Sequence, residues 1–141
     1  MVAFRGGLGS QFAGVTISTS GQRSCQLRGG RPQVLVYVAG KPIPLPETHS
    51  KDVALSDGPR IVTIPVTPNR SGPGFGFEWQ GGTCLPKGPI SVRVQVPGTD
   101  VRLRVAHEDP IPGPRCTQGS GAQAQVFVSL LVADLAGLII N

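Results

Sequence analysis

Acidic residues are missing from the front of this chain. No Asp or Glu precedes Glu47, whereas Arg5, Arg23, Arg28, Arg31 and Lys41 all do. The 95 residues after position 46 hold eight basic and eight acidic side chains, so the net charge of +5 belongs to the front end. Such a balance suits an anionic partner: a nucleic acid, phospholipid head groups or a charged cell-wall polymer. The plainer reading is that five spread charges solvate turns and strand edges. Arginine outnumbers lysine ten to three, a bias of coding rather than of mechanism.

Aromatic residues are scarce, at 5% of the chain. The core is therefore expected to be aliphatic, built of Val, Leu and Ile. With Tyr37, Trp79 and five Phe, the chain offers few platforms on which unpaired bases could stack, which argues against binding of single-stranded nucleic acid and makes a nucleic-acid partner the less expected one. Long apolar runs are also missing. The most apolar stretch, "VFVSLLVADLAGLII" over residues 126–140, has 15 residues and contains Ser129 and Asp134. A membrane helix needs about 20 apolar residues and is penalised heavily for a central Asp. The stretch is expected to be a last strand followed by an apolar tail, with one or two turns of helix after Asp134. The opening "MVAFRGGLGSQFAGVTIS" holds no apolar run of signal-peptide length behind a basic start.

Catalytic and metal signatures are lacking too. None of the three cysteines, Cys25, Cys84 and Cys116, forms a C-x-x-C pair, which disfavours zinc and thioredoxin-type chemistry. There is no H-E-x-x-H, no G-x-S-x-G and no P-loop. His107, Glu108 and Asp109 are consecutive, and consecutive residues of an extended chain point in different directions. A mononuclear site joining His49, His107 and a carboxylate is a weak rival. No cofactor, metal site or enzymatic activity is expected.

What is present is punctuation and short apolar runs. Gly 20 and Pro 14 divide a 141-residue chain that is 39% apolar. "QFAGVTIS" alternates. "QVLVYV" (33–38) is apolar on both faces and predicts a central strand covered on both sides. "AGKP" turns the chain. "PIPLP" is extended but cannot fill a central ladder, because proline lacks the donor. "RIVTIPV" (60–66) and a segment around Phe75–Trp79 are further strands. "ISVRVQV" (90–96) and "DVRLRVA" (100–106) flank "PGT" as the clearest hairpin. "AQAQVFVSLLV" (122–132) closes the domain. About seven short strands at this spacing predict an all-β, antiparallel, immunoglobulin-like β-sandwich. It forms one domain over 1–141, with its core at about 10–132 and an apolar tail from 133.

The hairpin carries the sharpest candidate site. With Val96 facing Val101, Arg93 falls opposite Arg104, and Gln95 opposite Arg102. Val92, Val94, Leu103 and Val105 then point into the core. Arg93, Arg102 and Arg104 share an exposed face, and like charges directly opposite one another on a sheet are destabilising. The functional reading is an anion or acidic polymer bound there. The structural alternatives are Glu78 or another acid between the arginines, or side chains splayed into solvent.

The order of features resembles a family called domain of unknown function 4232, found mainly in secreted proteins and lipoproteins of actinobacteria. The segments that carry the resemblance are "GVTISTSGQRSCQLRGGRPQVLVYVAGKPIP", "DVALSDGPRIVTIPV", "FEWQGGTC", "ISVRVQVPGTDVRLRV" and "PRCTQGSGAQAQVFVS". Asp57 stands where that pattern usually has proline. The resemblance implies a disulfide-bonded β-sandwich of the cell envelope or exterior, non-enzymatic, with a binding or structural role. It implies no particular activity; a charged cell-wall polymer or another envelope protein is the implied kind of partner. It also implies pairing of Cys84 with Cys116, across the hairpin they flank, and an oxidising compartment. Cys25 is then left unpaired. Either its partner lies upstream of Met1, in a start earlier than the one given, or Cys25 is a buried free thiol.

Overall fold

The structure, a computed structural model, describes residues 2–7, 10–45, 47–48, 61–67, 69, 71–80, 86–106, 111 and 125–135. Among these, eleven strands follow one another: β1 (Val2–Gly7), β2 (Ser10–Thr16), β3 (Cys25–Arg28), β4 (Gln33–Val38), β5 (Lys41–Ile43), β6 (Glu47–Thr48), β7 (Ile61–Ile64), β8 (Gly74–Gln80), β9 (Ile90–Gln95), β10 (Arg102–Arg104) and β11 (Gln125–Val128). No helix occurs among the described residues. The fold is all-β and sandwich-like, as the alternation predicts. The strands outnumber the seven expected by β1, β3, β5 and β6, of which the last three are too short or too polar to show an apolar period. The tail beyond Leu135, where a helical turn is expected, lies outside the described residues.

One sheet has the order β1-β2-β8-β11-β6, the second β10-β9-β4-β5, and β3 pairs with β7 in a two-stranded sheet. Every pairing is antiparallel except β11 with the two-residue β6. Inward-facing side chains come from all three sheets. Val15, Phe75, Trp79 and Val128 of the first meet Val36, Val92 and Val94 of the second, and Val62 and Ile64 of β7 join the same cluster.

The core is not purely aliphatic. Phe75, Phe77 and Trp79 occupy alternate positions of β8 and are buried at its centre, surrounded by valines. Scarcity in the chain does not imply scarcity in the core, because a period of two sends three successive aromatics of one strand to the same face. β8 comes close to β2 because of Gly74, which pairs with Thr16. A Cβ at that position would run into the carbonyl oxygen of Val15.

β4 runs over residues 33–38 as expected, between β9 and β5. Only one of its faces is core, however. Val36 and Val38 are buried, whereas Leu35 and Tyr37 on the other face remain half-buried. β5, with Pro42, lies at the sheet edge, where a missing donor costs nothing. The β4–β5 connection is a two-residue turn with Ala39 at φ 49° and Gly40 at φ 78°. Both values belong to the type I′ hairpin, whose twist matches that of the strands.

Cys25 opens β3 opposite Ile64. It is a free and exposed thiol, not a buried one: it shares a face with half-buried Leu27 but stands at the first position of a strand in a two-stranded sheet. Cys84 and Cys116 lie outside the described residues.

Candidate functional site

The β9–β10 hairpin is built by its turn. Pro97 fixes one central position and Gly98, at φ 73°, fills the other, the pattern of a type II turn. The Thr99 N–H donates to the Val96 carbonyl at 3.2 Å. The Thr99 hydroxyl donates to the same carbonyl at 3.2 Å and accepts from the Val101 N–H at 3.2 Å. Gln95 Nε2 donates to the Thr99 carbonyl at 3.1 Å. These contacts fix the loop length and therefore the register.

That register pairs Arg102 with Gln95, Leu103 with Val94 and Arg104 with Arg93. It is the register the sequence predicts, with no bulge. Residues directly opposite in an antiparallel ladder share a face. Arg93, Arg102 and Arg104 therefore lie on one side of the sheet, and all three are exposed. β4 extends the face, since Leu35 pairs with Arg93 and Tyr37 with Ser91. The guanidinium carbon of Arg93 lies 4.7 Å from the centre of the Tyr37 ring, within the range of a cation–π contact.

Glu78 does not sit between the arginines. It belongs to β8 of the other sheet, on the face opposite Phe77 and Trp79, and so lies across the core. Among the described residues, no acid is paired with Arg93, Arg102 or Arg104. The like-charge opposition is relieved instead by Arg93 leaning onto Tyr37, a diagonal neighbour one strand further in.

One expected position differs. Leu103 is on the core side, opposite buried Val94, but is 43% exposed. β10 is the edge of its sheet, and the described part of the opposing sheet does not reach across to it. Val101 is likewise 55% exposed. The edge of the hairpin thus carries arginine on one side and, at Val101 and Leu103, uncovered aliphatic side chains on the other, while Val92, Val94 and Val105 stay in the core. Tyr37 was the part of this site not read from the sequence. A Tyr two residues along a strand from an Arg-facing Leu is the signal that could have found it.

A separate open cleft of about 640 Å³ is lined by Thr67, Asn69, Ser71 and Asp134 among others. Asn69 Oδ1 accepts from the Ser71 N–H at 3.0 Å, so it stabilises its own turn. His49, His107, Glu108 and Asp109 lie outside the described residues, and among those described no group of three His, Cys, Asp or Glu could hold a metal. No described helix is long and apolar enough to cross a membrane. No protein-family model, curated protein or solved structure matches the chain.

Proposed function

We propose that this chain is a non-enzymatic β-sandwich binding module whose β10-β9-β4-β5 face receives an anionic polymer. The observation that carries the reading is the set of three exposed arginines on one face, with no acid paired to them among the described residues. A field of one sign on a flat sheet attracts extended anions and adds little to folding. Arg93 is held in place by Tyr37, so part of the ordering cost of binding is met before the ligand arrives. The secreted or envelope location, and a Cys84–Cys116 bridge, rest on the resemblance of the chain to domain of unknown function 4232.

The test is titration with a heparin fragment at two salt concentrations. Exposed charges are screened within about 10 Å at 0.1 M salt, so binding through this face weakens steeply as salt rises. Replacing Arg93, Arg102 and Arg104 together by Gln should abolish the salt-dependent part. Binding that survives both treatments would remove this face from consideration.

A further inference from the structure

The backbone of β10 gives the arginine face a direction. Two hydrogen bonds set the phase of the hairpin: Val96 N–H to Val101 O at 3.4 Å, and Val105 N–H to Val92 O at 3.0 Å. Residues 103 and 105 therefore turn their N–H and C=O groups toward β9, as does the carbonyl of Val101. Alternation along an antiparallel ladder turns those of Arg102 and Arg104 the other way, off the edge of the sheet. β10 is the last strand of its sheet, and all three of its residues are exposed. Among the described residues nothing pairs with the outward groups of Arg102 and Arg104, and such a row of open donors and acceptors is a template for another strand.

Resting on the anion-binding reading, we infer that the anionic partner is an acidic, extended segment of another protein that adds to β10 as a fifth strand of the β10-β9-β4-β5 sheet. Backbone hydrogen bonds to Arg102 and Arg104 would supply register, as in other strand additions. Side chains opposite Arg102 and Arg104 would lie on the arginine face and must be carboxylates. The side chain between them, opposite Leu103, would lie on the core side. It must be apolar, because Leu103 there is 43% exposed and Val101 55%. The segment recognised therefore reads acid–apolar–acid. The same residues act against the commonest wrong partner. A second copy pairing antiparallel through this edge would set Arg102 across from Arg104, like charge on like charge.

The probe is a labelled peptide with a Glu-Val-Glu-Val-Glu centre, titrated against the full chain by fluorescence anisotropy. Its controls are an isomer of the same composition with the glutamates consecutive, the alternating peptide N-methylated along its pairing edge, and the heparin fragment. The alternating peptide should bind about tenfold tighter than either peptide control, or more, a difference readily resolved in Kd. Hydrogen exchange at the Arg102 and Arg104 amides should slow on binding. The double variant Arg102→Glu with Arg104→Glu should transfer preference to a Lys-Val-Lys-Val-Lys peptide. Equal affinity for the alternating, block and N-methylated peptides would overturn strand addition and leave the anionic face standing. Failure of every peptide and of heparin would overturn both.

Discussion

Arg93 stands directly opposite Arg104 in the β9–β10 ladder, and its guanidinium rests 4.7 Å from the centre of the Tyr37 ring on β4. The two facts belong together. A cation facing another cation across a sheet needs somewhere to go, and the ring one strand further in provides it. The aromatic face attracts the guanidinium by about 0.5–1 kcal/mol at an exposed site. Opposed like charges cost an amount of the same order.

Removing the ring should therefore expose the repulsion. Tyr37→Leu keeps an apolar side chain but no quadrupole, and is expected to destabilise the fold by about 1 kcal/mol through loss of the cation–π contact and partial burial. In Arg104→Gln the same substitution should cost measurably less, because the repulsion has gone. Urea unfolding of the two single variants and the double variant gives the coupling energy. Strictly additive effects would mean that Tyr37 does not relieve the Arg93–Arg104 pair.

The close approach of β2 and β8 depends on a missing side chain. At Gly74 a Cβ would run into the Val15 carbonyl, whereas at Gly76 the nearest atoms are the Ala13 carbonyl oxygen at 3.8 Å and Ser129 Oγ at 4.0 Å, ordinary contacts. Gly74→Ala should cost about 1–3 kcal/mol or more, as overpacking does. Gly76→Ala should cost less than about 1 kcal/mol, within the range of well-tolerated substitutions. Thermal unfolding of the two variants, compared under one buffer, decides between this ranking and its reverse.

Ser129 continues the pairing of β11 past its last strand residue. It is 1% exposed. Its backbone N–H donates to the Gly76 carbonyl at 2.9 Å, while its Oγ accepts from the Gly76 N–H at 2.9 Å and donates to the Leu130 carbonyl at 3.0 Å. Ser129→Ala leaves the Gly76 N–H without its acceptor, and a buried orphan donor costs about 1–3 kcal/mol. Ser129→Thr keeps the hydroxyl and should recover part of that loss if the extra methyl fits. Hydrogen exchange at Gly76 should rise in Ser129→Ala and stay slow in Ser129→Thr.

The sequence was most legible where polarity alternated and a turn was spelled out. Ile90–Gln95 and the Arg93–Arg104 opposition follow from a period of two and from Pro97-Gly98-Thr99, because turn geometry sets register, and Gln33–Val38 follows from a short run apolar on both faces. β3 and β5 were not legible: their two short polar or proline-bearing runs form strands only because β7 and β4 offer ladders to join. The inward but uncovered Leu103 was not legible either. Alternation says which way a side chain points, and only the extent of the opposing layer says whether anything lies over it. The run QVLVYV places Tyr37 on a second buried face, whereas the half-buried ring instead holds an arginine.

Trp79 presents a conflict between packing and polarity. Its side chain is fully buried, on a strand between Gln11 of β2 and Val126 of β11, yet its indole N–H has no hydrogen-bond partner. Buried indole usually finds one. The ring is retained for its volume, and the orphan donor subtracts about 1–3 kcal/mol from what that volume contributes. The two effects can be separated by substitution. Trp79→Ala loses the volume and should cost about 3–5 kcal/mol, as large-to-small core changes do. Trp79→Phe loses the unsatisfied donor together with part of the ring, so the cavity penalty and the relieved desolvation oppose each other. It should cost less than about 1.5 kcal/mol, near the range of tolerated hydrophobic swaps. Chemical denaturation followed by far-UV circular dichroism measures both without relying on the tryptophan signal. If Trp79→Phe proves nearly as damaging as Trp79→Ala, the indole N–H is satisfied in solution, by a water or by a neighbouring carbonyl, and the ring is held by a hydrogen bond as well as by its volume.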